Sequence, residues 1–176
     1  MPPKNIPYNI LNITLNTSSI HRLIKNCNTH HSSIQISNLV DEEVRSIVKV
    51  KLEEIMYKIH LIVEYHDKKK ISINDALSIM DNKMFWNDKN LQKCIRDKKS
   101  NCLYFSKNLF KDLIRLVLRD IKQDYPMRAG VSLVVQYYIE DYIQKIIEKT
   151  ILVALNGKRR TIYPRDFKIV LDNEEI

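Results

Sequence analysis

Residues 37–75 read SNLVDEEVRSIVKVKLEEIMYKIHLIVEYHDKKKISIND, and this stretch decides the fold. Apolar side chains recur at Val40, Val44, Ile47, Val48, Leu52, Ile55, Ile59 and Ile62, the spacing of one helical face. Held for about 27 residues, that pattern predicts roughly 40 Å of continuous helix. Ser37 or Asn38 is expected to cap it, with Asp41 and Glu42 suited to the positive end of the helix dipole. The run Lys68, Lys69, Lys70 ends the pattern, and Asn74 or Asp75 is expected to open a short helix, NDALSIM. Upstream, Thr17, Ser18 and Ser19 offer caps for another short helix carrying Ile20, Leu23 and Ile24.

The same order returns downstream. SKNLFKDLIRLVLRDIKQD, residues 106–124, places Leu109, Leu113, Ile114, Val117 and Ile121 at core spacing, and Pro126 is expected to end that helix by removing an amide donor. A second long helix is predicted from Ala129 to about Asn156, with Val131, Val134, Val135, Tyr138, Ile139, Tyr142, Ile146 and Ile147 on its apolar face. GKRRTIYP then reads as a basic turn and PRDFKIVL as a last short helix. Each long helix thus runs into a basic loop, a β-branched segment and an aspartate. Lys68 stands seven residues before Asp75, and Arg159 seven before Asp166, so each pair is expected to fix its loop. This is an internal duplication of architecture. Neither unit can hide its long apolar stripe alone; two clasped antiparallel can.

Composition agrees with helix. The chain of 176 residues has only two glycines, and Gly130 and Gly157 stand apart, which excludes glycine-rich phosphate loops. With 44% hydrophobic residues it can build a core. The formal charge is +8, and it is uneven: residues 1–90 hold 12 basic and 10 acidic side chains, residues 91–176 hold 17 and 11. That sign points to a polyanionic partner. Cys27, Cys94 and Cys102 form no CxxC pair, so no disulfide framework is expected and the thiols point to a reducing compartment or to burial. No apolar run reaches the roughly 18 residues of a membrane span, and MPPKNIPYNILNITLN lacks the features of a secretory leader. His30 and His31 have no ligand cluster nearby, so no metal and no cofactor are expected. The carboxylates read as lying on helix exteriors, and no enzymatic activity is expected.

The expected boundaries are an irregular arm over 1–16, a first unit over 17–80, a linker over 81–90, a second unit with a preceding basic helix over 91–170, and an acidic end over 171–176. In the linker, Trp86 beside Phe85 either anchors on its own core or docks on a neighbouring pair.

Residues 36–80 closely resemble the core of histone H4, on Ile36-Ser37, Leu39, Glu42-Glu43, Arg45, Lys49-Val50 and Leu52-Glu53. Residues 91–168 resemble histone H3 more closely still. The matching positions include Leu91, Arg96, Phe110, Leu113, Arg115, Asp120, Lys122, Gln136, Glu140, Tyr142 and Thr150. Lys158-Arg159, Thr161-Ile162, Pro164 and Asp166 complete the likeness at identical spacing. An H4-like half followed by an H3-like half resembles the fused histone doublets of large DNA viruses.

The resemblance implies an all-α chain of two histone folds forming an intramolecular handshake pair. It implies sequence-independent wrapping of double-stranded DNA, two doublets joined by a four-helix bundle, and flanking by pairs of the other two core-histone types. A viral factory or host nucleus, and the virion, are the implied locations. The implied DNA contacts are Arg22, Lys25 and Gln35, then Lys68, Lys69 and Lys70 facing Arg128, with Lys107 and Arg115 on the second unit's first helix. Lys158, Arg159, Arg160 and Thr161 supply the other loop, and Arg96 and Lys99 lie on a basic helix that guides DNA where it enters and leaves. The implied doublet–doublet interface contains Leu152, Val153, Asn156, Arg159 and Asp166.

Departures from the family pattern refine this. Gln35 replaces a minor-groove arginine, which weakens that contact. Pro126 occupies the corresponding arginine position in the second unit, with Arg128 two residues later. Asn156 and Val153 stand where the H3 pattern has a histidine and a cysteine, so the family's histidine–aspartate bond lacks its histidine and its metal-binding pair is absent. Low charge predicts loose wrapping. The competing expectation is a histone-fold regulatory adaptor that recruits proteins rather than wrapping DNA.

Overall fold

The computed structural model describes residues 8–28, 34–80, 89–96, 103–122 and 125–174. The decisive stretch forms α3, Val40–Tyr65, preceded by α2, Thr17–Cys27, and followed by α4, Ile73–Ile79. The second series is α6, Lys107–Ile121, then α7, Val131–Asn156, then α8, Pro164–Glu174. Both long helices have 26 residues. Two elements stand outside the series, α1 at Tyr8–Thr14 and α5 at Lys89–Arg96.

The two series clasp rather than stack. The helices α2 and α4 of the first pack on α7 of the second, while α6 and α8 of the second pack on α3 of the first. One core results. From α3 it takes Val40, Val44, Ile47, Val48, Leu52, Ile55, Met56, Ile59 and Val63, and from α7 it takes residues from Val131 to Ala154. Ile62, Tyr138 and Tyr142, expected in the core, are only half-buried, and Phe110, Ile143 and Ile151 fill it instead. Each such side chain, fully buried, contributes about 1.5–3 kcal/mol.

The clasp is closed at both ends by backbone. The first series' α2–α3 connection contains β1, Gln35–Ile36, which pairs in parallel with β2, Thr161–Ile162, from the second series' α7–α8 connection. At the opposite end Ile71, between α3 and α4, bridges in parallel to Met127, between α6 and α7. Each unit's first loop therefore pairs with the other unit's second. These two short ladders are the strand content that an all-helical expectation omits.

Several boundaries differ from expectation. Residues 1–16 are not an irregular arm throughout: α1 lies on α3 and α6, and Leu11 and Leu15 are buried. Its prolines, at 2, 3 and 7, all precede the helix, where a missing amide donor does least harm. Arg45 locks the α1–α2 junction onto α3, donating to the Leu15 carbonyl at 2.9 Å and the Thr17 hydroxyl at 3.2 Å. Neither Ser37 nor Asn38 caps α3; Leu39 sits at its N-terminus without a side-chain bond. Ser72 caps α4 in a capping box with Asp75, so Asp75 stands one turn inside. The helix α6 ends at Ile121, short of Pro126. The acidic end is helical through Glu174. Lys89 and Asn90 of the expected linker belong to α5, while 81–88, with Trp86, lie outside the described residues.

Candidate nucleic-acid interface

The two basic loops share one backbone hydrogen-bond pattern. After α3, Asp67 adopts the left-handed conformation at φ 49°, and the Lys68 amide donates to the Val63 carbonyl at 3.0 Å. After α7, Lys158 adopts it at φ 54°, and the Arg159 amide donates to the Ala154 carbonyl at 3.0 Å. A left-handed residue followed by a bond back five residues is a helix stop that satisfies orphan carbonyls. In each loop the next residue is the cation that reaches the aspartate seven positions on. Lys68 Nζ lies 2.5 Å from Asp75 Oδ1, and Arg159 grips Asp166 with two bonds of 2.8 and 3.1 Å.

Those aspartates also order the turn. Asp75 Oδ2 accepts the Ser72 amide at 2.8 Å and its hydroxyl at 2.6 Å; Asp166 Oδ2 accepts the Tyr163 amide at 2.9 Å. Burial pushes both carboxyls up, but the donors outweigh it. The Lys68 ammonium and Ser72 hold Asp75 below the ordinary carboxylate range. Arg159 and the Tyr163 amide do the same for Asp166. Gly157 leaves room for this grip, because a Cβ there would stand 3.3 Å from the Arg159 guanidinium. Gly130, at φ 90°, holds a left-handed conformation that residues with a Cβ rarely adopt.

With the loops fixed, their remaining cations face outward. Lys68, Lys69, Lys70, Ser72 and Arg128 line one hollow, and the Arg128 amide bonds the Ile71 carbonyl at 2.9 Å. Tyr125 links this hollow to a second, donating its hydroxyl to the Lys68 carbonyl at 3.4 Å. The second is lined by Arg115, Arg119, Lys122, Tyr125 and Pro126. At the far end Gln35 lies beside Thr161, whose hydroxyl donates to the Gln35 side-chain Oε1 at 3.4 Å, next to exposed Lys158 and Arg160. Chemically these are clusters of cations and hydroxyls at both paired-loop ends, of the kind that contacts phosphate.

Arg119 and Lys122 were not among the expected contacts, though the sequence carries a signal. Lys107, Lys111, Arg115 and Arg119 recur every four residues along one side of α6. Lys122 is engaged by Glu64, a cross-unit ion pair. Among the other expected contacts, Lys25 is exposed on α2, Lys107 is half-buried in the first turn of α6, and Arg115 bonds Asp112 at 3.2 Å. Arg96 is exposed at the end of α5; Lys99 lies outside the described residues, as do His30 and His31.

Arg22 is exposed on α2, and its guanidinium donates to the Tyr104 carbonyl at 2.6 Å and lies 5.5 Å from the centre of that ring. One expected role changes. Asp166 is wholly buried against its own chain, so it presents no face to a second copy. Leu152 is exposed and Val153 half-buried on α7, and Ile169 on α8, which the sequence reading passed over, is also exposed. Nor are the carboxylates all on helix exteriors: Asp41, Asp75, Glu140 and Asp166 are buried.

Residues 87–172 match the family model of the core histone domain, which spans all four core-histone types. They form a histone-fold domain. The match takes in α5 to α8 and starts four residues before the expected unit. A histone-fold domain suggests DNA packaging or a related histone-like role, with histone-type pairing. Among the described residues, no helix is long and apolar enough to cross a membrane.

Proposed function

We propose that this chain is a fused histone pair that wraps double-stranded DNA without reading its sequence. In this reading residues 17–80 are a second, H4-like histone fold clasped to the H3-like fold downstream. The observation that carries it is the repeated loop. The same helix stop, the same cation–aspartate pair at a seven-residue spacing and the same parallel backbone bridge occur in both halves. On this reading the histone-fold domain has a structural twin as its partner, and both paired-loop ends present cations, as phosphate contact without base readout requires.

The exposed apolar residues fit the assembly proposed. Leu152 and Ile169, beside Val153 and Asn156, suit a four-helix contact with a second copy. Tyr57, Leu61 and Tyr65, spaced along one exposed face of α3, suit a flanking pair of the other two core-histone types. Replacing both Leu152 and Ile169 by glutamate is expected to leave the clasped pair folded and to abolish self-association on DNA. Sedimentation of the complex checks this; an unchanged mass refutes that interface. A viral chromatin setting, in the factory, nucleus or virion, is part of the proposal and follows from the doublet order.

Nuclease digestion of long DNA after salt-gradient mixing tests the whole reading. The chain alone should protect a discrete fragment, and a flanking pair should lengthen it toward about 147 base pairs. A smear in both reactions sinks wrapping and leaves a histone-fold adaptor.

A further inference from the structure

Between α1 and α6 lies a hollow of about 370 Å³ that the paired-loop ends do not share. Ile10 and Ile13 of α1 form one wall, and Leu109 and Leu116 of α6 form the other. Leu11 and Leu15 already anchor the α1 segment in the core, so Ile10 and Ile13 are not needed to hold it. Ile13 is nevertheless 59% exposed above the hollow. Thr14 lines the same space, and its buried hydroxyl has no hydrogen-bond partner among the described residues. Buried hydroxyls are ordinarily bonded, so this one is left for a group that arrives from outside.

The shape and the charge of the hollow select its occupant. Leu109, Asp112, Leu116 and Arg119 recur at three- and four-residue spacing, one face of α6 over about 15 Å. An apolar trough of that length between two helices is what a third, amphipathic helix of about three turns fills. Arg115 and Arg119 line the trough and also line the basic hollow beside Lys122, Tyr125 and Pro126. They are therefore a cationic ridge between the two spaces. Asp112, the one carboxylate of the trough among the described residues, is already engaged by Arg115 at 3.2 Å. A DNA backbone could satisfy the ridge, but it has no apolar surface with which to cover Ile13.

We propose that the α1–α6 trough is a docking groove for an acidic amphipathic helix of a partner protein. Its apolar side chains cover Ile10, Ile13, Leu109 and Leu116, and its carboxylates meet Arg115 and Arg119. Those two cations cannot serve such a helix and a phosphate backbone at once, so the partner and DNA exclude one another along this side of α6. The groove itself stands independently of DNA wrapping, because it is defined on the free chain.

The probe is a labelled helical peptide of about 14 residues, with leucines at three- and four-residue spacing on one face and glutamates on its flanks. Fluorescence anisotropy with the full chain, in the absence of DNA, should show saturable binding. A second peptide with alanine for every leucine keeps the charge and should bind about tenfold more weakly or worse. Ile13→Glu should cost about tenfold, and Arg115→Ala with Arg119→Ala should cost less and only at low salt. If Ile13→Glu fails to fold, amide shifts of the wild-type chain take its place, and they should move at Ile10, Ile13 and Leu116. Three results overturn the proposal. The first is no saturable binding. The second is equal binding of the alanine peptide, or shifts confined to the basic loops, which leaves a polyanion surface only. The third is a free chain that sediments as a dimer and becomes monomeric in Ile13→Glu, which makes the occupant a second copy.

Discussion

Converting Lys69, Lys70, Arg128, Lys158 and Arg160 together to alanine is expected to flatten the salt dependence of DNA binding, lowering the slope of log affinity against log salt by about four to five. Each phosphate neutralised by a protein cation releases condensed counterions worth about 0.9 in that slope. All five side chains are exposed at the two paired-loop ends. Lys68 and Arg159 are left in place because they hold Asp75 and Asp166. The variant should therefore keep its helical circular dichroism and its unfolding midpoint while losing several orders of magnitude in affinity at low salt. Arg22→Ala should behave oppositely, with little change in slope and a less stable clasp, because its guanidinium is committed to Tyr104. Fluorescence anisotropy titrations over a series of salt concentrations separate the two. An unchanged slope in the fivefold variant would show that the loop ends do not meet phosphate.

How much of this was legible depends on the range over which each feature is encoded. The long helices announce themselves because their stripes repeat locally for seven turns, and the paired loops because Lys68–Asp75 and Arg159–Asp166 share one spacing. The likeness between the loops runs deeper than the sequence shows, since Asp67 and Lys158 share a backbone conformation without sharing a residue type. The helix α1 was hidden by its prolines, whose position before Tyr8 matters more than their number. Ser72 was visible in principle, as a serine three residues before an acid, but the competing Asn74 drew the cap inward. The contact by which buried Glu140 accepts the Tyr104 and Phe105 amides was not legible. Its partners are 36 residues apart, and Gln136 with Glu140 at a four-residue spacing looks like an ordinary polar helix face. Only the clasp puts α2 over that face and turns an apparently exposed carboxylate into a buried one. For the same reason the bond from Arg22 to the Tyr104 carbonyl was not legible: the charge is in the sequence, and its carbonyl partner is not.

Asp166→Ala is expected to lower the free energy of unfolding by about 2–4 kcal/mol, or roughly 6–12 °C in midpoint for a chain of this size. The carboxylate is wholly buried, grips Arg159 with two bonds and accepts the Tyr163 amide, so its loss frees one cation and one donor together. Asp75→Ala should cost less, because the partner Lys68 is 42% exposed and its ammonium rehydrates readily; what remains is chiefly the capping box, about 1 kcal/mol. The pH dependence identifies the cause. Both carboxyls sit below their ordinary range in the folded chain, so their contribution is complete above the unfolded value and disappears as the pH falls through the folded one. The stability gap between wild type and Asp166→Ala should therefore be constant from neutral pH down to about pH 4 and close below it. Denaturant titrations at a series of pH values measure that gap. A gap that persists unchanged at the acid end would assign the loss at Asp166 to packing alone and remove the ion pair from the account of how the loop is held.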